Sequence, residues 1–296
     1  MKLHKLILLS TLLFPLTTHA EMRSEIFGGY DGLSFDRHDN DFIGTNEASD
    51  LESYNLGGYV VKDLNESTAI SLLGKYVEYN TGGILNPPEN DSPKDTLTFE
   101  ATLIKNVFNN SLAGLGLYYA DIETEQDGAN ANKTMQGYNV SFVNDFNKFT
   151  YMVTLGKQTT GSVEAQDTVR NAEYAGIAFS YEFNDKIDFG IKYSTFVGKE
   201  YDEKVIKTEQ TSDVSTLFAD YKLPAGTLRA GYKLYDNKQK DIEGKGYGGI
   251  EDAEGDAFFL TYSLPFGNSS SKKERMLITD KPDVVEFSTI GGSIGD

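Results

Sequence analysis

The chain has 296 residues, a formal net charge of −18 and no cysteine, with 18 Tyr, 18 Phe and 29 Gly. Without thiols it has neither disulfides nor thiolate metal ligands, so hydrogen bonding and packing alone must stabilise it. So acidic a balance argues against nucleic acid or an anionic lipid surface as a partner.

Residues 1–20 carry the three parts of a secretory signal peptide: basic Lys2 and Lys5, an apolar core from Leu6 to Leu16, and the small-residue exit Thr18-His19-Ala20. The apolar core is about half of the ~20 residues that a helix needs to cross a bilayer, so cleavage after Ala20 is expected in preference to a retained anchor. Loss of Lys2 and Lys5 takes the formal charge from −18 to −20. Beyond residue 20 nothing approaches a transmembrane helix.

From residue 21 to residue 266 the chain alternates apolar and polar side chains in runs of ~10, the mark of strands with one face in lipid and the other in a lumen. Such runs start near Glu25, Ser53, Ser67, Thr96, Ser111, Lys133, Phe149, Ala172, Ile187, Asp213, Thr227 and Ala257. In the fourth, Leu97, Phe99, Ala101, Leu103 and Val107 alternate with Thr96, Thr98, Glu100, Thr102 and Asn106. In the eighth, Ala175, Ile177, Phe179, Tyr181 and Phe183 point outward, and Gly176, Ala178, Ser180 and Glu182 inward. The ninth sets Ile187, Phe189, Ile191, Tyr193 and Val197 against Asp188, Gly190, Lys192 and Ser194. The eleventh sets Leu228, Ala230, Tyr232 and Leu234 against Arg229, Gly231 and Lys233. Only Ala69 to Tyr79 alternates badly. The fold expected is all-β: a transmembrane antiparallel β-barrel of about 12 strands. A soluble β-sandwich is the alternative that many strands and turns also allow.

Every second connection is short and rich in turn formers: Asp63-Leu64-Asn65-Glu66, Asn109-Asn110, Asn147-Lys148, Asn184-Asp185-Lys186 and Pro224-Ala225-Gly226. Those between them are longer and polar: 36–52, 80–95, 123–132, 157–171, 198–212 and 237–256. Short periplasmic turns and longer extracellular loops are what a bacterial outer-membrane barrel has, which puts both termini in the periplasm. Residues 267–296 break the pattern. Asn268, Ser269 to Ser271 and then Lys272, Lys273, Glu274 and Arg275 read as a linker into water, so this segment is expected as a periplasmic C-terminal tail, flexible or peripherally docked.

The run FFLTYSLPF, Phe258 to Phe266, resembles the last strand of outer-membrane barrel proteins, which ends in an aromatic residue after alternating apolar positions. Over residues 21–266 the chain resembles a porin-like bacterial outer-membrane β-barrel protein, at the level of the superfamily. It departs from that pattern by continuing about 30 residues past the aromatic. The resemblance implies location in the Gram-negative outer membrane. The partners it implies are outer-membrane lipids, lipopolysaccharide and the barrel assembly machinery.

Catalysis is not expected. His38 is the one histidine outside the signal peptide, and the mature part lacks the His-x-Ser pair of outer-membrane phospholipases. His38 reads as a solvated loop residue. The acidic clusters at Asp39, Asp41, Glu47, Asp50 and Glu52, and at Glu251, Asp252, Glu254 and Asp256, lack the order of a calcium loop and read as rim charges. The glycine run 244–249 has no following helix to make a phosphate cradle. No cofactor or metal is expected.

The function expected is a narrow channel for passive diffusion of small hydrophilic solutes, since about 12 strands lie between filled 8-stranded and water-filled 16-stranded barrels. Small inward positions such as Gly114, Gly116, Gly176, Ala178 and Ser180 leave room for water. By alternation, Lys192, Arg229, Lys233 and Lys222 form a basic stripe on one wall, with Lys192 and Lys233 at similar heights, while Glu100 and Glu182 project from others. These lumen-lining residues are the candidates for selectivity. Two alternatives stand beside this: cations salt-bridged to Asp188 and Asp220 in a plugged barrel, and a closed structural or surface-interaction barrel without channel activity.

Overall fold

The computed structural model describes residues 22–38, 47–81, 92–108, 110–126, 129–163, 169–202, 205–241, 251–283 and 285–286. They form twelve antiparallel strands: β1 (Met22–His38), β2 (Glu47–Asn65), β3 (Thr68–Thr81), β4 (Ser92–Phe108), β5 (Ser111–Gln126), β6 (Ala129–Phe146), β7 (Phe149–Val163), β8 (Val169–Asn184), β9 (Ile187–Asp202), β10 (Val205–Leu223), β11 (Gly226–Asp241) and β12 (Glu251–Gly267). Each pairs with its sequence neighbours, and β1 pairs with β12 from Ser24↔Phe266 to His38↔Asp252, so the barrel is closed. Closure leaves no unpaired edge, the condition for a sheet to survive in hydrocarbon. The twelve strands and the all-β class agree with the sequence pattern.

The tight connections lie at one end, where their chemistry is visible. Asn184 Oδ1 accepts from the backbone N–H groups of Lys186 and Ile187, each at 2.9 Å, and Asn65 Oδ1 accepts from that of Ser67 at 3.0 Å. Asn147 has φ +56°, a conformation that asparagine tolerates better than most residues. At the other end the strands run further than the alternation shows. The stretches 123–132 and 198–212, expected as loops, are mostly paired strand, with Gln126↔Ala129 and Asp202↔Val205 closing their hairpins. Outside hydrocarbon both faces meet water, so a strand needs no apolar parity to stay paired. The glycine run 244–249, Asp39 and Asp41 lie outside the described residues, as does the side chain of His38.

The outward face carries two aromatic girdles. Phe108, Phe146, Phe149, Phe183 and Phe266 are exposed near the short-turn end; Tyr54, Tyr119, Tyr138, Tyr193 and Tyr232 are exposed higher up. From Phe146 to Tyr138 the rise is about 20 Å at ~3.3 Å per residue, reduced by a tilt of about 40°. That matches the apolar band of a membrane barrel, and Leu115, Val140, Val153, Ile177 and Ile191 fill it.

The C-terminal tail departs from expectation. Its described residues, 268–283 and 285–286, do not leave the barrel. Gly267, at φ +72°, lets the chain reverse after β12, Asn268 bridges to Arg23, and helix α1 (Lys272–Thr279) rises into the lumen with Met276, Leu277 and Ile278 buried. The charges that lipid would reject find carboxylates on the inner wall instead.

Candidate functional site

An eight-residue helix is marginal on its own, and α1 has Lys272, Lys273 and Arg275 in its first turn, where the helix dipole disfavours cations. A capping box partly compensates: Ser271 Oγ accepts from the Glu274 N–H, and Glu274 Oε2 accepts from the Ser271 N–H. The rest of its stability comes from the wall. Met276, Leu277 and Ile278 sit on an apolar floor made by the inward residues Tyr59, Val61, Ala69, Ile104, Val143, Met152 and Ala178, with Leu73 and Leu112 packed alongside. This floor also explains the poor alternation of β3. Ala69 and Leu73 face inward to meet the helix, and Val77 and Tyr79 join a second lumenal cluster with Leu33, Leu51 and Tyr235.

Two of the three glycines expected to leave room for water leave room for the tail. A Cβ at Gly114 would lie 3.3 Å from Leu277 Cδ2, and one at Gly176 only 2.4 Å from Pro282 Cγ. At Gly116 the space is taken by Glu100 and Asn139. Replacing Gly176 by leucine should therefore displace residues 280–286 while α1 stays on its floor. Protease should cut the tail within an otherwise folded barrel; a tail that stays as resistant as the parent's would show that the Pro282 contact is dispensable.

Charge complementarity between tail and wall follows a gradient along the lumen. Near the short-turn end the tail is basic and the wall acidic: Lys272 meets Asp188 at 3.2 Å, Lys273 meets Asp145 at 3.1 Å and Arg275 meets Asp220 at 3.1 Å. Glu274 answers Arg23 at 2.8 Å. Further up the polarity inverts. Asp280 accepts from Lys192 at 2.9 Å and from Arg229, Asp283 from Lys75, and Glu286 from Lys233 at 2.8 Å and from the Tyr235 hydroxyl at 2.7 Å. Lys281 crosses to Glu100. Burial by itself raises the Asp280 carboxyl, but Arg229 and Lys192 outweigh it and hold this tail residue well below the usual carboxylate range. A depressed carboxyl contributes its stabilisation fully above about pH 4 and loses it only in strong acid, so Asp280 stays seated at neutral pH.

The six residues singled out from the sequence fall at two levels. Lys192 and Lys233 both stand opposite Thr216 in the register, so they share one row of the ladder. Arg229, two inward rows lower on β11, forks onto Asp220 through Nε at 2.7 Å and Nη2 at 2.9 Å. Phe218 lies between them, with Arg229 4.1 Å and Lys192 5.4 Å from its ring centre. Glu100 faces them from β4. Lys222 sits lower and pairs with Asp188 at 3.1 Å, and Glu182 stands opposite Asp188 in the register. The stripe is thus engaged in salt bridges, Asp188 and Asp220 among its partners. Alternation misses Lys75, whose strand carries the irregular pattern, and the acids of the tail.

Beside the tail a cavity of about 270 Å³ remains. Lys192, Ser194, Thr216, Arg229, Lys233 and Asn237 line one side of it, Tyr118, Tyr174 and Phe196 another, and Asp283 and Glu286 of the tail a third.

No family model matches the chain, and no curated protein matches it. Among solved structures it is similar to an outer membrane channel from Pseudomonas putida F1, with 14% identity and a TM-score of 0.57 over 86% of this chain and 98% of that one. The Pseudomonas putida toluene transporter TodX aligns at 8% identity and a TM-score of 0.48, over 84% of this chain and 91% of that one. A Pseudomonas aeruginosa FadL homologue gives 10% identity and a TM-score of 0.43, over 84% and 91%. At such identities the likeness is one of fold, a closed antiparallel β-barrel.

Proposed function

We propose that this protein is an outer-membrane channel for small hydrophilic solutes whose lumen is narrowed by its own C-terminal tail. The observation that carries the proposal is the cavity of about 270 Å³ beside the tail, bordered by Lys192, Arg229 and Lys233, a space that a barrel built only for support would fill. In this reading the short turns face the periplasm, and the tail enters the lumen from that side. The girdles meet outer-membrane lipid and lipopolysaccharide, and the barrel assembly machinery inserts the chain. Lys192, Arg229, Lys233 and Glu100 act on permeating ions at mid-lumen, with Lys222 and Glu182 nearer the periplasmic mouth.

A second reading, a closed structural or surface-interaction barrel, is favoured by one observation: α1 rests on a floor where Leu277 is fully buried. Planar-bilayer recording of the full-length protein separates them. Small stepwise conductances are expected, whereas an electrically silent membrane containing folded barrel would favour the closed reading.

A further inference from the structure

The acids of the tail, Asp280, Asp283 and Glu286, recur every third residue and rest on cations from β3, β9 and β11. The wall does not balance these cations by itself. Among the described residues, the carboxylates that pair with Lys75 and Lys192 both come from the tail. Arg229 and Lys233 have wall partners in Asp220 and Asp31, yet each also takes a tail carboxylate. Two strands also supply aromatic or hydroxyl groups that orient the cations: Phe259 of β12 lies 5.5 Å from Lys233, and Tyr235 of β11 donates to the same carboxylate as that lysine. The cavity of about 270 Å³ touches all four cations and Asp283 and Glu286, so a second anion has room beside the carboxylates already seated.

We propose that Lys75, Lys192, Arg229 and Lys233 form a binding site for a small polycarboxylate solute, and that the tail's carboxylates occupy it in the solute's place. This rests on the reading of the barrel as a channel and names the solute class that its wall recognises. A carboxylate arriving through the cavity exchanges with a tail carboxylate on the same cation, with little change in charge or hydrogen bonding. The belt holds three carboxylates at once. A solute with two or three of them competes on several cations together, whereas chloride neutralises one at a time.

Calorimetric titration of the full-length protein in detergent tests this, with citrate as probe and with phosphate and chloride compared at one ionic strength. Because binding is read without conduction, a silent bilayer and a missing site remain distinguishable. The variant Asp280→Asn, Asp283→Asn, Glu286→Gln keeps the tail but removes its acids, and should bind citrate about tenfold more tightly than the parent, as a site freed of an internal competitor does. Adding Lys75→Gln and Lys192→Gln to it should abolish the heat of binding, and Lys192→Gln alone should weaken citrate several-fold in the parent. The proposal is overturned if the acid-free tail binds no more tightly, if binding survives loss of the lysines, or if phosphate or chloride does as well as citrate.

Discussion

A chain ending at Ser271 should fold into the same barrel and conduct about ten times more current than the full-length protein, since a 12-stranded barrel without its filling has room for a continuous water column. Folding should survive because the twelve ladders close without the tail: β1 and β12 pair along their length, and the helix enters only after β12 has ended. The deletion loses the burial of Met276, Leu277 and Ile278, about 1.5 to 3 kcal/mol each, and wets the floor beneath them. Heat-modifiability on gels and single-channel recording check the two halves of this result. A folded truncated barrel with the parent's conductance would mean that the constriction lies elsewhere. Loss of membrane insertion would mean that the tail carries an assembly signal that Phe266 does not.

The barrel was legible because lipid imposes a rule on every strand it touches. Ile177, Phe179, Ile191 and Leu234 must face out, and the partners between them must face in. The rule lapses beyond the hydrocarbon, which is why the far ends of β5, β6, β9 and β10 read as loops. It is silent about what fills the lumen. Alternation placed Lys192, Arg229 and Lys233 on one inner wall but carried no information about a partner 51 or more residues away in sequence. A signal for the filling was nonetheless present. Val61, Ala69, Ile104, Leu112, Val143 and Met152 are apolar at inward parity, all near the short-turn end, and a ring of that kind facing water would be costly. Taken with a tail whose Met276-Leu277-Ile278 is its one apolar triplet flanked by charges, that ring specifies what covers it. The linker reading of residues 267–296 weighed the charges of the tail alone, without the inward carboxylates Asp145, Asp188 and Asp220 that complement them.

Replacing Lys192, Arg229 and Lys233 together by glutamine should now do two things. It should shift the reversal potential in a salt gradient toward cations, and it should raise conductance as well. The second effect follows from the tail. In the triple variant Asp280 keeps neither of its cations while its side chain stays 5% exposed, and a buried carboxylate stripped of its partners costs about 3 to 5 kcal/mol. Glu286 loses its salt bridge and keeps the Tyr235 hydroxyl and the more distant charge of Lys75, and Asp31 loses Lys233. Moving Asp280 and Glu286 into water relieves most of that penalty, so the upper half of the tail should leave while α1 stays on its apolar floor. Adding Asp280→Asn and Glu286→Gln to the triple variant removes the unpaired acids. Replacing both members of a pair is nearly neutral where replacing one is not, so the tail should reseat and conductance should fall back toward the parent value. In the chain ending at Ser271 the same three substitutions should change selectivity with no further rise in conductance, because there is no tail to release. A triple variant that conducts like the parent would show that these ion pairs do not hold the tail in the lumen. Parent-like selectivity in the truncated chain would show that this wall does not govern permeation.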